Sequence, residues 1–367
     1  MRIAYVGGSN NHFVPPYVRA MVERGHEVRL FDLAGVLAKP DAIPCEVVDV
    51  GASVHPKQGR TKWRYALAAR HLRREVAAYR PEVVHAHYAS SAGIVCALAG
   101  LRGYLLSLRG SDILVRAGSP VWRAALVQAL GRSSLVHAVS DELADGARAL
   151  VPDADVRVLT QGLDLRQFPF APRADWEDPP RLLCTRTLGP IYSNETLVRA
   201  VTILAQRGTP VRLTLAAGGP DRARLGQIAE AEGVAEYIAF LDGYDNDALP
   251  ALMAAHDAYV SASLSDGTSI SLLEAMAAGL FPIVTRIESN EAWVTDGETA
   301  QMFSPENPGE LAGSIIASVT LGPRTREAAL RYNRATVETR GDRAANMDAL
   351  EGWYAEVLRA MPSGMLS

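Results

Sequence analysis

The chain has 367 residues, 48% apolar and 21% charged, an ordinary globular composition whose length points to two domains of roughly 170 to 190 residues. It has no run of about 18 apolar residues to span a bilayer, and the opening run Ile3–Val6 is too short for a secretory signal, so a cytoplasmic protein is expected. The net charge of −4 conceals an asymmetry, 21 Lys+Arg against 15 Asp+Glu in residues 1–170 and 16 against 26 in the rest, so the two halves face different partners.

Residues 2–8, Arg-Ile-Ala-Tyr-Val-Gly-Gly, read as a parallel strand ending in a glycine turn at Gly8, followed by a helix from Val14 to Arg24 and a strand from His26 to Phe31. That order predicts a Rossmann-like half. Gly7-Gly8 lacks the spacing of a dinucleotide fingerprint and suits a plain tight turn equally well. Residues 60–80 have helical period, with Tyr65, Ala69, Leu72, Val76 and Tyr79 on one face. Off that face lie Lys62, Arg70, Arg73, Arg74 and Arg80, with Glu75 the only acid. Such a surface suits an anionic lipid or acceptor, or is the solvated face of an arginine-rich protein.

Pro81-Glu-Val-Val-His-Ala-His87 is a buried strand that delivers His87 and Tyr88 to the carboxyl edge of a sheet, where open α/β sheets bind ligands. Leu105–Asp112 brings Arg109 to the next such edge, and Leu135–Ser140 and Val156–Asp164 complete the half. Phe168–Pro180, rich in proline, reads as a linker, giving domains 1–168 and 169–342. Cys45, Cys96 and Cys184 are odd in number and far apart, which suits packing better than bridges or a metal.

The second half restarts the pattern. Leu182–Arg186 is a strand, Ser193 or Asn194 can cap a helix from Glu195 to Arg207, and Val211–Ala216 is a strand ending in Gly218-Gly219-Pro220. A strand at Ile238–Leu241 and a helix from about Ala248 lead to the stretch with most chemistry. There a buried strand, Ala258–Ala262, enters the small-residue turn Asp266-Gly267-Thr268-Ser269, and the turn opens a helix. With Ser269 as N-cap, the N–H groups of Ile270, Ser271 and Leu272 face outward as anion donors. Gly267 lets a ligand approach the backbone. Glu274, a turn further in, suits two vicinal ribose hydroxyls. Asp266 capping an ordinary αβ unit and a solvated Glu274 fit the spacing equally well. Asn290 and Trp293 either touch a ligand or pack. Asp245-Asn-Asp247 and Asp153-Ala-Asp155 match a bare Asp-x-Asp metal pattern, but both precede regular elements, where Asp caps; no metal is expected. A last helix, about Arg343 to Met361, is apolar at Met347, Leu350, Trp353, Tyr354, Val357 and Leu358.

The stretch from Asp266 to Gly279, two acids separated by seven residues around a glycine loop and a Leu-Glu-Ala-Met-Ala helix, resembles glycosyltransferase family 4. The resemblance implies a GT-B fold, two Rossmann-like domains facing across a cleft, and retaining transfer from a nucleoside diphosphate sugar, UDP before GDP, to a glycan, lipid-linked or small-molecule hydroxyl. It places the donor in the second domain and sends the C-terminal helix 343–367 back onto the first. Gly8 would approach the diphosphate, together with Gly218, Gly267, Thr268, Ser269, Ile270, Ser271 and Leu272. Glu274 would hold the ribose, Asp266 the sugar, and Arg186 the phosphates.

The chain departs from the pattern three times. Asp266 stands where the family more often has Glu; Arg109 replaces the histidine of a His-Gly-Ser-Asp site, so either Arg109 or the nearby His87 serves the sugar; and Ile191-Tyr192-Ser193 replaces a phosphate-binding lysine. A phosphorylase of similar fold would need a pyridoxal lysine late in the chain, yet Lys39, Lys57 and Lys62 are the only lysines. A GT-B epimerase or a non-catalytic nucleotide-sugar binder remain alternatives. Of the two readings of helix 60–80, the anionic-lipid one would add peripheral contact with the inner face of a membrane and the solvated-face one would not.

Overall fold

The computed structural model describes residues 1–9, 13–34, 43–50, 62–114 and 116–360. Lys39, Lys57, the first two residues of the expected 60–80 helix and the end of the last helix beyond Ala360 lie outside the described residues. The chain divides into two compact units, Met1–Gln161 with Ala344–Ser367, and Gly162–Arg343. The break therefore precedes Phe168–Pro180. That stretch is no spacer: Phe168 and Phe170 pack into the apolar interior of the second unit, and Arg334 donates to the Phe168 carbonyl at 2.8 Å.

The first unit holds seven strands, β1 Arg2–Gly7, β2 Glu27–Asp32, β3 Glu46–Asp49, β4 Val83–His87, β5 Tyr104–Ser107, β6 Ser133–Ala138 and β7 Val156–Val158. They lie in the order β3-β2-β1-β4-β5-β6-β7, every neighbouring pair parallel. The second unit holds β8 Arg181–Cys184, β9 Arg212–Leu215, β10 Ile238–Phe240, β11 Ala258–Ser261, β12 Phe281–Thr285 and β13 Gln301–Phe303, in the order β10-β9-β8-β11-β12-β13, again all parallel. Parallel strands covered on both faces need near-continuous apolar runs, and β4, β5, β11 and β12 are buried at every residue. In each sheet the chain reverses direction of travel once, between β1 and β4 and between β8 and β11. At such a switch point the loops after the two strands diverge and leave a crevice at the carboxyl edge.

Helices cover both faces of the first sheet. Lys62–Tyr79, Ile94–Leu98, Pro120–Leu130 and Asp141–Leu150 supply Leu72, Val95, Leu126 and Leu143 to one interior. Val14–Glu23 and the C-terminal helix Arg343–Ala360 supply Tyr17, Met21, Met347, Leu350 and Tyr354 to the other, against Ile3, Tyr5 and Leu30. In the second unit the short strands β10 and β13 close the two edges. Sequence reading does not mark β3, β13 or the helices Pro308–Thr320 and Pro323–Arg340; the first of these two opens on a Pro at its first turn, with Asn307 accepting from Glu310 N–H. The architecture is the α/β class expected, with an all-parallel sheet in each unit. No described helix is long and apolar enough to cross a membrane.

Candidate functional site

At the switch point of the second sheet, Arg186 lies two residues beyond β8 and the Asp266–Ser269 turn follows β11. The two meet. Arg186 Nη2 donates to Asp266 Oδ2 at 2.7 Å, and its Nη1 donates to Ser271 Oγ at 3.1 Å and to Ser269 Oγ at 3.4 Å. Tyr259, reaching up from β11, donates its hydroxyl to Ser271 Oγ at 3.1 Å. Arg186 Nε is buried with no hydrogen-bond partner, so one N–H of a fixed guanidinium is unspent. Tyr192, in the run Ile191-Tyr192-Ser193 that stands in place of the family's lysine, lays its ring under that guanidinium, 4.4 Å from Cζ to centroid, and Ile191 anchors the turn by accepting from Leu264 N–H at 2.9 Å. The missing cation is thus replaced by an aromatic brace for the one that remains.

Ser269 caps the helix Ile270–Ala278, its Oγ accepting from Leu272 N–H at 3.3 Å. This corrects one expectation. Leu272 N–H is taken by the cap and by the Ser269 carbonyl, leaving Ile270 and Ser271 as the candidate anion donors. Gly267 N–H bonds Asp266 Oδ1 at 2.9 Å, and Thr268 Oγ1 donates to the Gly267 carbonyl at 2.9 Å, so the loop is closed on itself. Glu274 lies one turn into the helix and is partly buried, and no hydrogen bond of its carboxylate is found among the described residues. Burial pushes its pKa up to about 7, with Arg343 and then Arg186 pulling the other way. A carboxylate held poorly solvated and unpartnered is suited to hydroxyl donors brought by a ligand.

Gly218 accepts from Leu188 N–H at 3.0 Å, and Gly219 must be glycine: a Cβ there would stand 2.2 Å from the Leu188 carbonyl oxygen. The pair fixes the loop after β9 beside the one carrying Arg186. Neither Ser193 nor Asn194 caps its helix. Ser193 adopts a left-handed conformation and bonds Thr196 Oγ1 at 3.0 Å, while Asn194 is buried and donates to the Thr187 carbonyl at 3.1 Å. Asn290 and Trp293 pack: Asn290 donates to the Thr285 carbonyl at 2.9 Å, and Arg340 covers the Trp293 ring at 4.4 Å. No cluster of three metal-ligating side chains occurs among the described residues, and Asp155 is paired with Arg157 at 2.9 Å.

In the first unit, β1 ends at Gly7-Gly8 beside β4, and a Cβ on Gly7 would stand 3.4 Å from the His87 Cβ. The structure joins the two residues that sequence left as alternatives. Arg109 Nη2 donates to His87 Nδ1 at 2.9 Å, and Arg109 Nη1 donates to Tyr17 Oη at 3.2 Å. A donating guanidinium makes Nδ1 the acceptor, so the His87 proton sits on Nε2, which is buried and unpartnered. Burial first, then the neighbours His85 and Arg109, hold His87 well below the usual histidine range. It is a neutral donor, never a cation, at physiological pH.

Below this pair runs a buried hydrogen-bonded chain. Tyr5 Oη and Tyr354 Oη are 2.9 Å apart, Tyr354 Oη and His85 Nδ1 2.7 Å, His85 Nε2 and Ser107 Oγ 2.7 Å, and Ser107 Oγ and His137 Nδ1 2.8 Å; His137 Nε2 ends on the Leu159 carbonyl at 2.6 Å. Asp112 shapes the loop bearing Arg109 by accepting from three backbone N–H groups, those of Arg109, Gly110 and Ala89, at 2.9–3.1 Å. Sequence reading missed Asp112, Ser107, His137 and Tyr259 as site supports. Asp112 sits within the Arg-Gly-Ser-Asp run and was the findable one; the others look like core positions of strands.

Two family descriptions cover most of the chain: Glycosyltransferase Family 4 matches residues 7–167 and Glycosyl transferases group 1 matches 179–320. The chain belongs to glycosyltransferase family 4. A relative of this family 4 chain, the D-inositol 3-phosphate glycosyltransferase of Mycobacterium sp., is 25% identical, spanning 90% of this chain and 82% of its own. The GDP-mannose-dependent alpha-(1-6)-phosphatidylinositol monomannoside mannosyltransferase of Mycolicibacterium smegmatis is 30% identical, and the match spans 55% of this chain but only about half, 56%, of the relative. Among solved structures, sucrose-phosphate synthase from Thermosynechococcus elongatus is similar with a TM-score of 0.81 at 17% identity, over 98% of this chain and 100% of its own. Anabaena HepE in complex with UDP reaches 0.77 at 18% identity, over 97% and 100%.

Proposed function

We propose that this family 4 chain is a retaining glycosyltransferase that moves a sugar from a nucleoside diphosphate sugar to an acceptor hydroxyl without a metal ion. The observation that carries the reading is the fixed guanidinium of Arg186 at a helix start, with one unspent N–H, followed a turn later by the unpartnered carboxylate of Glu274. Arg186 and the Ile270 and Ser271 N–H groups oppose the charge that develops on the departing diphosphate. On donor entry the phosphates compete with Asp266 for Arg186, which turns Asp266 toward the sugar. Glu274 accepts from the ribose hydroxyls.

The anomeric C–O bond to the β-phosphate breaks as the acceptor oxygen bonds the same face of that carbon. The acceptor proton passes to the departing phosphate oxygen, so no protein base is consumed. In the first unit Arg109 supplies a permanent charge and fixes His87 as a neutral donor, the two acting as one group.

UDP is proposed before GDP as the carrier, and a glycan, lipid-linked or small-molecule hydroxyl as the acceptor, with the protein cytoplasmic and in peripheral membrane contact through helix Lys62–Tyr79. A thermal-shift panel of UDP- and GDP-sugars identifies the donor. Glu274→Ala abolishes calorimetric binding of that donor with the fold intact; undiminished binding sinks the assignment. Appearance of an isomerised sugar nucleotide in place of a glycosylated acceptor overturns the transfer step.

A further inference from the structure

Large apolar side chains exposed to water are scattered singly on most of this protein, with one concentration. Five of the ten found among the described residues stand on three helices of the first unit, Trp63 and Leu67 on Lys62–Tyr79, Leu98 on Ile94–Leu98, and Val121 and Val127 on Pro120–Leu130. These helices share one covering layer of the first sheet, and Tyr65 and Trp122 tie the two outer ones together with ring centroids 6.2 Å apart. Trp63 is 60% exposed and Val121 64%, although the inward faces of the same helices are buried.

On these three helices the charge is almost all positive. Arg64, Arg70, Arg73, Arg74 and Arg123 lie on the two outer helices, Arg102 follows the middle one, and Glu75 is the only acid in the three. Glu75 is bound by Arg74 at 2.7 Å. Trp63, Leu67, Arg70 and Arg74 recur at the spacing of one helical stripe, and Leu67, Arg70, His71 and Arg74 line with Val50 an open groove of about 540 Å³. The fourth helix of the layer, Asp141–Leu150, differs: it carries Asp141, Glu142 and Asp145 and exposes no large apolar side chain. The feature is therefore bounded within the layer.

We infer that the outer face of the three helices docks on an anionic phospholipid surface, the arginines meeting headgroups and Trp63, Leu67, Leu98, Val121 and Val127 entering the acyl boundary. This rests on the peripheral-contact reading of helix Lys62–Tyr79 and widens it from one helix to a three-helix face. Exposed arginine without acid is complementary to anionic headgroups, and apolar tips among the arginines suit an interface better than open water.

The test is co-sedimentation of the full chain with vesicles of phosphatidylcholine alone and of phosphatidylcholine with 30% phosphatidylglycerol. The expected result is binding only to the anionic vesicles, with each arginine removed at Arg70 or Arg74 weakening partitioning about fivefold. Val121→Asp with Val127→Asp reduces it comparably, and thermal unfolding of every variant stays at the wild-type midpoint because the altered side chains are exposed. Loss with Arg70→Glu and Arg74→Glu but none with Val121→Asp and Val127→Asp overturns the three-helix face and leaves the single helix standing. No preference for anionic vesicles overturns both. A concentration-dependent dimer that disappears with Trp63→Ser, seen by sedimentation velocity, assigns the face to a second copy of this chain and also overturns the proposal.

Discussion

Replacing Glu274 by Gln keeps the shape of the side chain and removes its charge. The wild-type carboxyl holds its proton in the folded chain up to about pH 7, whereas the unfolded chain releases it near the ordinary glutamate value. Between those two values the folded state binds more protons than the unfolded state, so stability falls as pH rises and the penalty is complete above the folded pKa. The difference between that value and the ordinary one corresponds to about 3 kcal/mol at pH 8, and to about half that once the water reaching a partly exposed side chain is allowed for. Glu274→Gln should therefore match wild type near pH 5 and exceed it by about 1 to 2 kcal/mol at pH 8 in denaturant titration. Donor binding gives the complementary reading. Ribose hydroxyls donating to the ionised carboxylate lower its pKa, so near pH 7 binding releases about half a proton, visible as a calorimetric enthalpy that differs between phosphate and Tris buffers. In Glu274→Gln that difference vanishes and affinity drops. A Gln variant with the wild-type pH slope, or with proton release intact, would refute the reasoning.

Asp266→Asn breaks the charged bond to Arg186 but leaves the guanidinium stacked on Tyr192; unfolding titrations should show a loss of about 1 to 3 kcal/mol, partly recovered on saturation with donor. Tyr354→Phe removes the hydroxyl shared by Tyr5 and His85, and a loss of about 1 to 3 kcal/mol is expected by the same titration, with donor affinity unchanged. Gly219→Ala forces the Leu188 carbonyl away and should cost about 2 kcal/mol or more, with donor affinity falling as the Arg186 loop shifts.

The fold was legible wherever a segment was buried on both sides. Apolar runs of strand length, such as Val83–Ala86 and Ala258–Val260, announce parallel strands, and glycines and caps mark the turns after them. The edge strand Glu46–Asp49, half exposed and with acids at both ends, carries no such mark. The candidate site was legible where local rules reach. Ser269 as a natural N-cap with Glu274 one turn further could be read from the spacing, beside the reading in which Asp266 caps, and the structure gives the cap to Ser269. What spacing could not show is partnership across elements. Tyr192 is near Arg186 in sequence, but its ring under the guanidinium depends on the short turn Pro190–Tyr192, and the Arg109–His87 bond joins residues 22 positions apart on neighbouring strand ends. The Leu272 N–H was misassigned because a cap uses up a donor as well as orienting others.

The chain Tyr5–Tyr354–His85–Ser107–His137 bears on how the protein is made. Four of its members are translated within the first 137 residues, whereas Tyr354 emerges only after the whole of Gly162–Arg343. The second unit is one uninterrupted stretch and can close during synthesis. The first must hold an open apolar face and an unsatisfied His85 until the last helix arrives. The unit translated first is thus completed last. A gene fragment stopped at residue 161 should yield an aggregating product, whereas one encoding 162–343 should fold without help.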